Sequence, residues 1–318
     1  MKLPARVTIC EVGTRDGFQI EPDFIPTEQK IEVVNLLSAA GVPRIEVTSF
    51  VHPKVVPQLR DAEQVMAGIT RRPGTRYAAL VPNDKGAVRA VDAGVDAIHT
   101  VVSASESHNL ANVNMTIAES MAKLRAVMQV AERAKVPVAC GISTSFGCPF
   151  EGDVPLAQLE RVVGRLVGMG ARAIGLADTT GMANPRQVRD LTRAVLQRFP
   201  PPNDTYYTLH FHNTRGMGLA NVVAGIVAGA RSFDGSVSGI GGCPFAPGAT
   251  GNICTEDLVH LLHALGYETG VDLDALIDVS STLEADLGVT LPSHLLRAGP
   301  RFRVARPTPA DRTGAPSR

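Results

Sequence analysis

The chain repeats one unit. A helix-patterned stretch ends on a small or apolar residue followed by glycine, and an apolar run begins a few residues later. Ala40-Gly41 precedes Ile45, Ala93-Gly94 precedes Ala97, Met169-Gly170 precedes Ala173, and Ala228-Gly229 precedes Ser232. Glycine enters the left-handed conformation at a helix C-terminus without steric cost, so each glycine reads as a helix stop. Eight runs read as strands: 7–14, 45–50, 77–81, 97–103, 137–144, 173–179, 207–213 and 232–240. Helical patterns follow them, clearest over 27–40, 115–134, 156–169, 184–198 and 217–228. Strand and helix in strict alternation call for a parallel sheet, and the recurrence of one unit predicts a closed (β/α)8 TIM barrel rather than an open doubly wound sheet. No glycine-rich dinucleotide fingerprint follows the first strand, which counts against a Rossmann fold. Extra C-terminal helices are expected at 273–287 and 292–298. The reading is one catalytic domain over 1–304 and a disordered tail over 305–318, where Pro, Arg, Ala, Thr and Gly dominate.

Composition narrows the function classes. Apolar residues make up 44% of the 318, enough for a sizeable core, and 31 Lys+Arg balance 31 Asp+Glu. No charge excess argues for nucleic acid or an anionic membrane surface. The five cysteines, Cys10, Cys140, Cys148, Cys243 and Cys254, show neither metal-ligand nor disulfide-framework spacing. A reduced, cytoplasmic setting fits them, and neither a signal peptide nor a bilayer-spanning run is present in the sequence.

Active sites of such barrels lie at the C-terminal ends of the strands, and polar residues collect there. Arg15-Asp16 follows the first strand, Glu46 lies in the second, and Asp178 ends the sixth. The seventh holds Leu209-His210-Phe211-His212-Asn213, and a glycine-rich stretch, 241–252, follows the eighth. Side chains alternate along a strand, so His210 and His212 share a face and form a ready pair of imidazole ligands. Each residue alone has a plainer reading: Asp178 as a turn cap, Glu46 paired with a barrel lysine, Arg15 as a surface charge, Cys243 as a small packed thiol. Asp16 with the two histidines would make a two-imidazole, one-carboxylate site, with Asn252 adding a neutral oxygen. Mg²⁺ or Mn²⁺ suits that mixed set, and Zn²⁺ also suits the imidazoles.

At this point the motifs resemble a known family. Ile9-Cys10-Glu11-Val12-Gly13-Thr14-Arg15-Asp16-Gly17-Phe18-Gln19 is similar to the first strand of 3-hydroxy-3-methylglutaryl-CoA lyases, and Ile45-Glu46-Val47-Thr48-Ser49-Phe50-Val51-His52-Pro53-Lys54 to their second. Gly147-Cys148-Pro149-Phe150-Glu151-Gly152, the His-x-His strand, and Gly241-Gly242-Cys243-Pro244 through Gly251-Asn252 complete five motifs, in order, over about 7–279. The resemblance implies a divalent-metal-dependent lyase that cleaves a 3-hydroxyacyl-CoA to acetyl-CoA and a keto acid, acetoacetate for the parent substrate. It implies Asp16, His210, His212 and Asn252 as metal ligands. Arg15, Glu46, Asp178 and Cys243 form the implied catalytic set, with Arg15 and Gln19 toward substrate and an acyl-CoA and further copies of the chain (dimer or tetramer) as partners. The general base stays open among Asp178, Glu46 and a histidine.

The chain departs from the family after its His-x-His. The lyases continue Asp-Thr-Tyr-Gly-Gln, whereas here Asn213-Thr214-Arg215-Gly216-Met217 follows. Arg215 could meet an extra carboxylate or a CoA phosphate, which keeps a citramalyl-CoA or a longer branched 3-hydroxyglutaryl-CoA open as substrate. A Claisen-condensing synthase is disfavoured by Phe18, where such relatives carry Glu. A non-catalytic barrel is disfavoured by the retained Arg15, Asp178 and Cys243.

Overall fold

The computed structural model describes residues 6–203, 206–242 and 251–301. Eight parallel strands, β1 (Thr8–Glu11), β2 (Arg44–Ser49), β3 (Arg76–Leu80), β4 (Ala97–Ser103), β5 (Val138–Ser143), β6 (Ala173–Asp178), β7 (Tyr207–Phe211) and β8 (Ser232–Gly235), pair in chain order and close into a barrel. The seam is the β1–β8 ladder, Thr8 opposite Ser232 through Glu11 opposite Gly235. Around it lie α1 (Thr27–Ala39), α2 (Ala62–Gly68), α3 (Asp84–Asp92), α4 (Glu106–Val113), α5 (Ile117–Ala134), α6 (Leu156–Gly168), α7 (Pro185–Arg198), α8 (Gly218–Ala228) and α9 (Thr255–Ala264). The extension is α10 (Leu273–Leu287) and α11 (His294–Ala298). Its second helix starts later than 292 because Ser293 is the cap, its hydroxyl accepting from Leu296 N at 3.1 Å. The expected tail, 305–318, lies outside the described residues.

The repeat glycines stop helices as the sequence suggests. Gly41, Gly94, Gly170 and Gly229 have φ of 84°, 73°, 87° and 116°, values that a side chain would make costly. Period-two alternation sorts the strands. On β7, Tyr207, Leu209 and Phe211 are buried, while Thr208 and His210 stay partly accessible. A side chain added at Gly225 of α8 would lie 2.4 Å from Leu209, so the buried positions face the helix layer. That layer holds the core, including Val34, Leu37, Ile45, Ile98, Leu159, Val222 and Leu258, all fully buried. Each such side chain contributes about 1.5–3 kcal/mol through apolar burial.

Two strands are shorter than their apolar runs suggest. The first ends at Glu11 and gives way to a single π-helical turn, Gly13–Gly17. The eighth ends at Gly235, before a 3-10 turn at Val237–Gly239. One buried carboxylate joins the two bends. Glu11 accepts from Gly13 N at 2.7 Å, Val237 N at 2.8 Å and Thr255 Oγ1 at 2.6 Å. Backbone donors that a ladder would occupy are met by this side chain, so both strands turn off at the same level.

Candidate active site

The π-turn after β1 sets the first half of the site. Gly13 is required there, since a Cβ would sit 2.7 Å from Glu11 Oε1 and 2.9 Å from Ser236 Oγ. The turn lifts Arg15 and Asp16 to the C-terminal rim of the barrel. His210 comes from β7 and His212 from just beyond it, where it bridges to Asn252. The two imidazoles stand 5.1 Å apart between ring centroids. Ligand atoms of Asp16, His210 and His212 all lie within 4.8 Å of one another.

The donors fit a divalent cation. Asn252 Nδ2 donates to Asp16 Oδ2 at 2.9 Å and to Ile240 O at 3.1 Å, which fixes the amide and leaves Oδ1 buried without a partner. A carbonyl oxygen so placed costs free energy unless a cation or donor meets it. His210 Nδ1 pairs with Asp234 Oδ2 at 3.2 Å, so Nε2 is the nitrogen left to ligate. Burial works against charge on Asp16. Arg15, the two histidines and the Asn252 amide outweigh it and hold the carboxyl at about 2, fully ionised. Burial and the neighbouring His210 push His212 down to about 4, the neutral form that binds metal.

Beside this cluster Arg15 is clamped. Its Nε donates to Glu46 Oε1 at 2.6 Å and its Nη1 to Asp16 Oδ1 at 2.5 Å. Among the described residues Nη2 donates to nothing, and it is not buried. Glu46 therefore pairs with Arg15, and with His99, rather than with a barrel lysine; its other oxygen, Oε2, lies 2.8 Å from His99 Nδ1. Burial would raise the Glu46 carboxyl, but Arg15 and His99 bring it down to about 2. Arg15 is a half-buried, doubly paired cation and not a surface charge.

Asp178 is the turn cap of its plainer reading, with one oxygen left over. Its Oδ1 caps the following turn, accepting from Met182 N at 2.8 Å and Ala183 N at 3.1 Å, while Oδ2 is buried with no partner. Burial lifts the carboxyl to about 6 against those amides. Arg215 reaches across to the same turn, Nη1 donating to Thr180 O at 3.2 Å and Gly181 O at 2.8 Å. Asn213 accepts from Gly218 N at 3.1 Å, at the start of α8. Two of the three departures from the family pattern, Asn213 and Arg215, thus brace rim loops. Gln19 lies partly exposed in a 3-10 turn, Phe18–Ile20. Cys243 lies outside the described residues.

Sequence reasoning missed His99 and Asp234. Both stand at inward positions of the alternation, His99 between Ala97 and Val101 on β4 and Asp234 next to the last residue of β8. A polar side chain at such a position is the signal that would have found them.

A parallel barrel that gathers a carboxylate, two imidazoles and a partly accessible guanidinium at its C-terminal rim has the make-up of a barrel enzyme with a candidate divalent-cation site. The HMGL-like family model matches residues 6–283. The chain is 46% identical to a hydroxymethylglutaryl-CoA lyase of Bacillus subtilis over 93% of its own length and 98% of the relative's. It is 44% identical to an (R)-citramalyl-CoA lyase of Chloroflexus aurantiacus, covering 93% of this chain and 96% of that one. A solved HMG-CoA lyase from Acinetobacter baumannii, in complex with coenzyme A and 3-methylmalate, superposes with a TM-score of 0.91 at 47% identity, over 96% of this chain and 98% of that one. The chain belongs to the HMGL-like family and is a carbon–carbon lyase.

Proposed function

We propose that the chain cleaves 3-hydroxy-3-methylglutaryl-CoA to acetyl-CoA and acetoacetate, with Mg²⁺ or Mn²⁺ held by Asp16, His210, His212 and Asn252. The observation that carries this reading is the Asp16–His210–His212 cluster beside Arg15, whose Nη2 has no partner among the described residues. A divalent cation in that cluster would lower the pKa of the substrate's tertiary hydroxyl and fix its carboxylate. Asp178 accepts the hydroxyl proton; its bare Oδ2 and raised affinity for protons suit it. The C2–C3 bond breaks, its electron pair passes to the enolate of acetyl-CoA, and Arg15 Nη2 donates to the enolate oxygen. Cys243, assigned from the sequence resemblance, returns a proton to C2.

A related hydroxyacyl-CoA, citramalyl-CoA or a longer branched 3-hydroxyglutaryl-CoA, is the second reading, supported by the citramalyl-CoA lyase relative. A homo-oligomer, dimer or tetramer, in the cytoplasm completes the proposal. The free thiols of Cys10, Cys140, Cys148 and Cys254 agree with a reducing compartment. Among the described residues no helix is long and apolar enough to cross a membrane.

The test is release of acetyl-CoA from a panel of these CoA thioesters by the purified chain with Mg²⁺ or Mn²⁺. Turnover fastest on hydroxymethylglutaryl-CoA and abolished by chelator is expected. Silence across the panel with metal bound sinks the lyase reading, and preference for citramalyl-CoA moves it to the second. His210→Ala should lose both metal binding and turnover.

A further inference from the structure

A guanidinium facing a buried carboxylate ordinarily closes on it as a fork, two parallel N–H groups on two oxygens. Arg15 does not close on Glu46 in this way. It meets Glu46 through Nε alone, at 2.6 Å on Oε1, and Nη2, the other arm of that fork, makes no hydrogen bond among the described residues. Oε2 is already taken by His99 Nδ1, at 2.8 Å. The Glu46 side chain is only 4% exposed, so little water can replace either partner.

We propose that His99 is a positioning residue: by occupying Glu46 Oε2 it keeps Arg15 singly bonded to Glu46 and leaves Nη2 available to the substrate. The proton arrangement follows from the bonding. Glu46 is ionised and accepts on both oxygens, so His99 carries its hydrogen on Nδ1. His99 Nε2 has no partner among the described residues and is not buried, so nothing else ties down the ring. The clamp runs His99–Glu46–Arg15–Asp16, across β4, β2 and the turn after β1, and each link occupies an atom that would otherwise compete for the guanidinium. Without His99, the guanidinium gains a second bond to Glu46 by turning Nη2 onto Oε2, and the donor meant for the enolate oxygen is withdrawn. Nothing in this argument requires His99 to touch the substrate or the cation. The catalytic consequence rests on the lyase reading above; the geometry does not.

The experiment compares His99→Ala with His99→Asn, whose amide N–H can reach Glu46 Oε2 as Nδ1 does. Crystal structures should show Arg15 bonded to both oxygens of Glu46 in the alanine variant and to one in the asparagine variant. With substrate and Mn²⁺, His99→Ala should lose kcat by about 100-fold, the lower end of the cost of losing one oxyanion donor. The KM for Mn²⁺ should stay within about twofold of the parent, while His99→Asn recovers most of the loss. In a Glu46→Gln background the alanine change should add less than about threefold, because the two residues act through one link. A monodentate Arg15 in His99→Ala, an unchanged kcat, or an asparagine variant as slow as the alanine one overturns the proposal. If no CoA thioester is turned over by the unmodified chain, the lyase reading fails while the paired crystal structures still decide the geometry. If His99→Ala fails to fold, His99→Asn against His99→Gln, whose amide sits one methylene further out, makes the same comparison.

Discussion

Two buried glutamates on adjacent strands show how one residue type serves two purposes. Glu11 on β1 is fully buried and Glu46 on β2 nearly so. In register Glu11 lies opposite Ile45, so Glu46, one residue further, projects to the other face of the sheet. Glu11 meets only neutral donors, and burial pushes it up to about 8. Glu46 meets Arg15 and His99 and is held at about 2. Burial penalises both charges; a cation within reach separates the outcomes. The acid on the helix side fastens two loops, and the acid inside the barrel holds the Arg15 guanidinium in place.

The comparison can be broken by substitution, and the largest effect belongs to the cation that tells the two acids apart. Arg15→Gln should lower kcat by about 10³-fold or more with metal affinity little changed, as a titration with Mn²⁺ would show. Equal loss of metal would move Arg15 into the cation site. Glu46→Gln should reduce kcat by about 10²-fold, because the guanidinium loses its charged anchor, with a denaturation midpoint close to the parent's. Glu11→Gln should do the opposite. Its carbonyl oxygen keeps the Gly13 and Val237 bonds and its amide nitrogen faces only the Thr255 hydroxyl, so any cost appears in urea unfolding, at most about 1 kcal/mol, and kcat should stay within about threefold. A large catalytic loss at Glu11 without a stability loss would erase the distinction.

The smallest effect is in pH dependence, and its sign differs between the two. A carboxyl raised from 4.5 to about 8 holds a proton in the folded chain that the unfolded chain releases. The contribution of Glu11 is therefore complete below 4.5 and is lost as pH rises through 8. Glu46, lowered from 4.5 to about 2, contributes stability above 4.5 that is lost as pH falls through 2. Urea midpoints between pH 4.5 and 8 should flatten in Glu11→Gln, and between pH 4.5 and 2 in Glu46→Gln. Activity adds a third limb: with Asp178 as proton acceptor at about 6, kcat/KM rises as pH increases through that value.

Much of this was legible in the sequence. The glycine-stopped repeat located eight strands and the closed barrel, because helix termination is a local event with a local signature. Asp16, His210 and His212 were legible as a cluster because strand ends in such a barrel converge. The ends of β1 and β8 were not. Their apolar runs continue past the turn, and what stops them is Glu11, whose partners Val237 and Thr255 come from the far end of the chain. His99 escaped notice for the same reason: an inward polar residue on one strand acquires meaning only when the carboxylate it meets, on a strand two places away, is known. The helices α2, α3 and α4 are short, so their periodicity has few turns in which to declare itself.

The hydrogen bond from Asn252 to Asp16 spans 236 residues of sequence and lies just above the seam where β8 meets β1. It works as a clasp. Every other neighbouring pair of strands is joined by a short crossover and can form early, but this pair must wait for nearly the whole chain to be in place. The two ends of the clasp are also two donors of the proposed cation site, so on that proposal binding competence and ring closure are the same event. A chain halted before its eighth unit would have most of its helices and neither property, and amide exchange along the β1–β8 ladder should slow when metal is added, more than at any other strand pair.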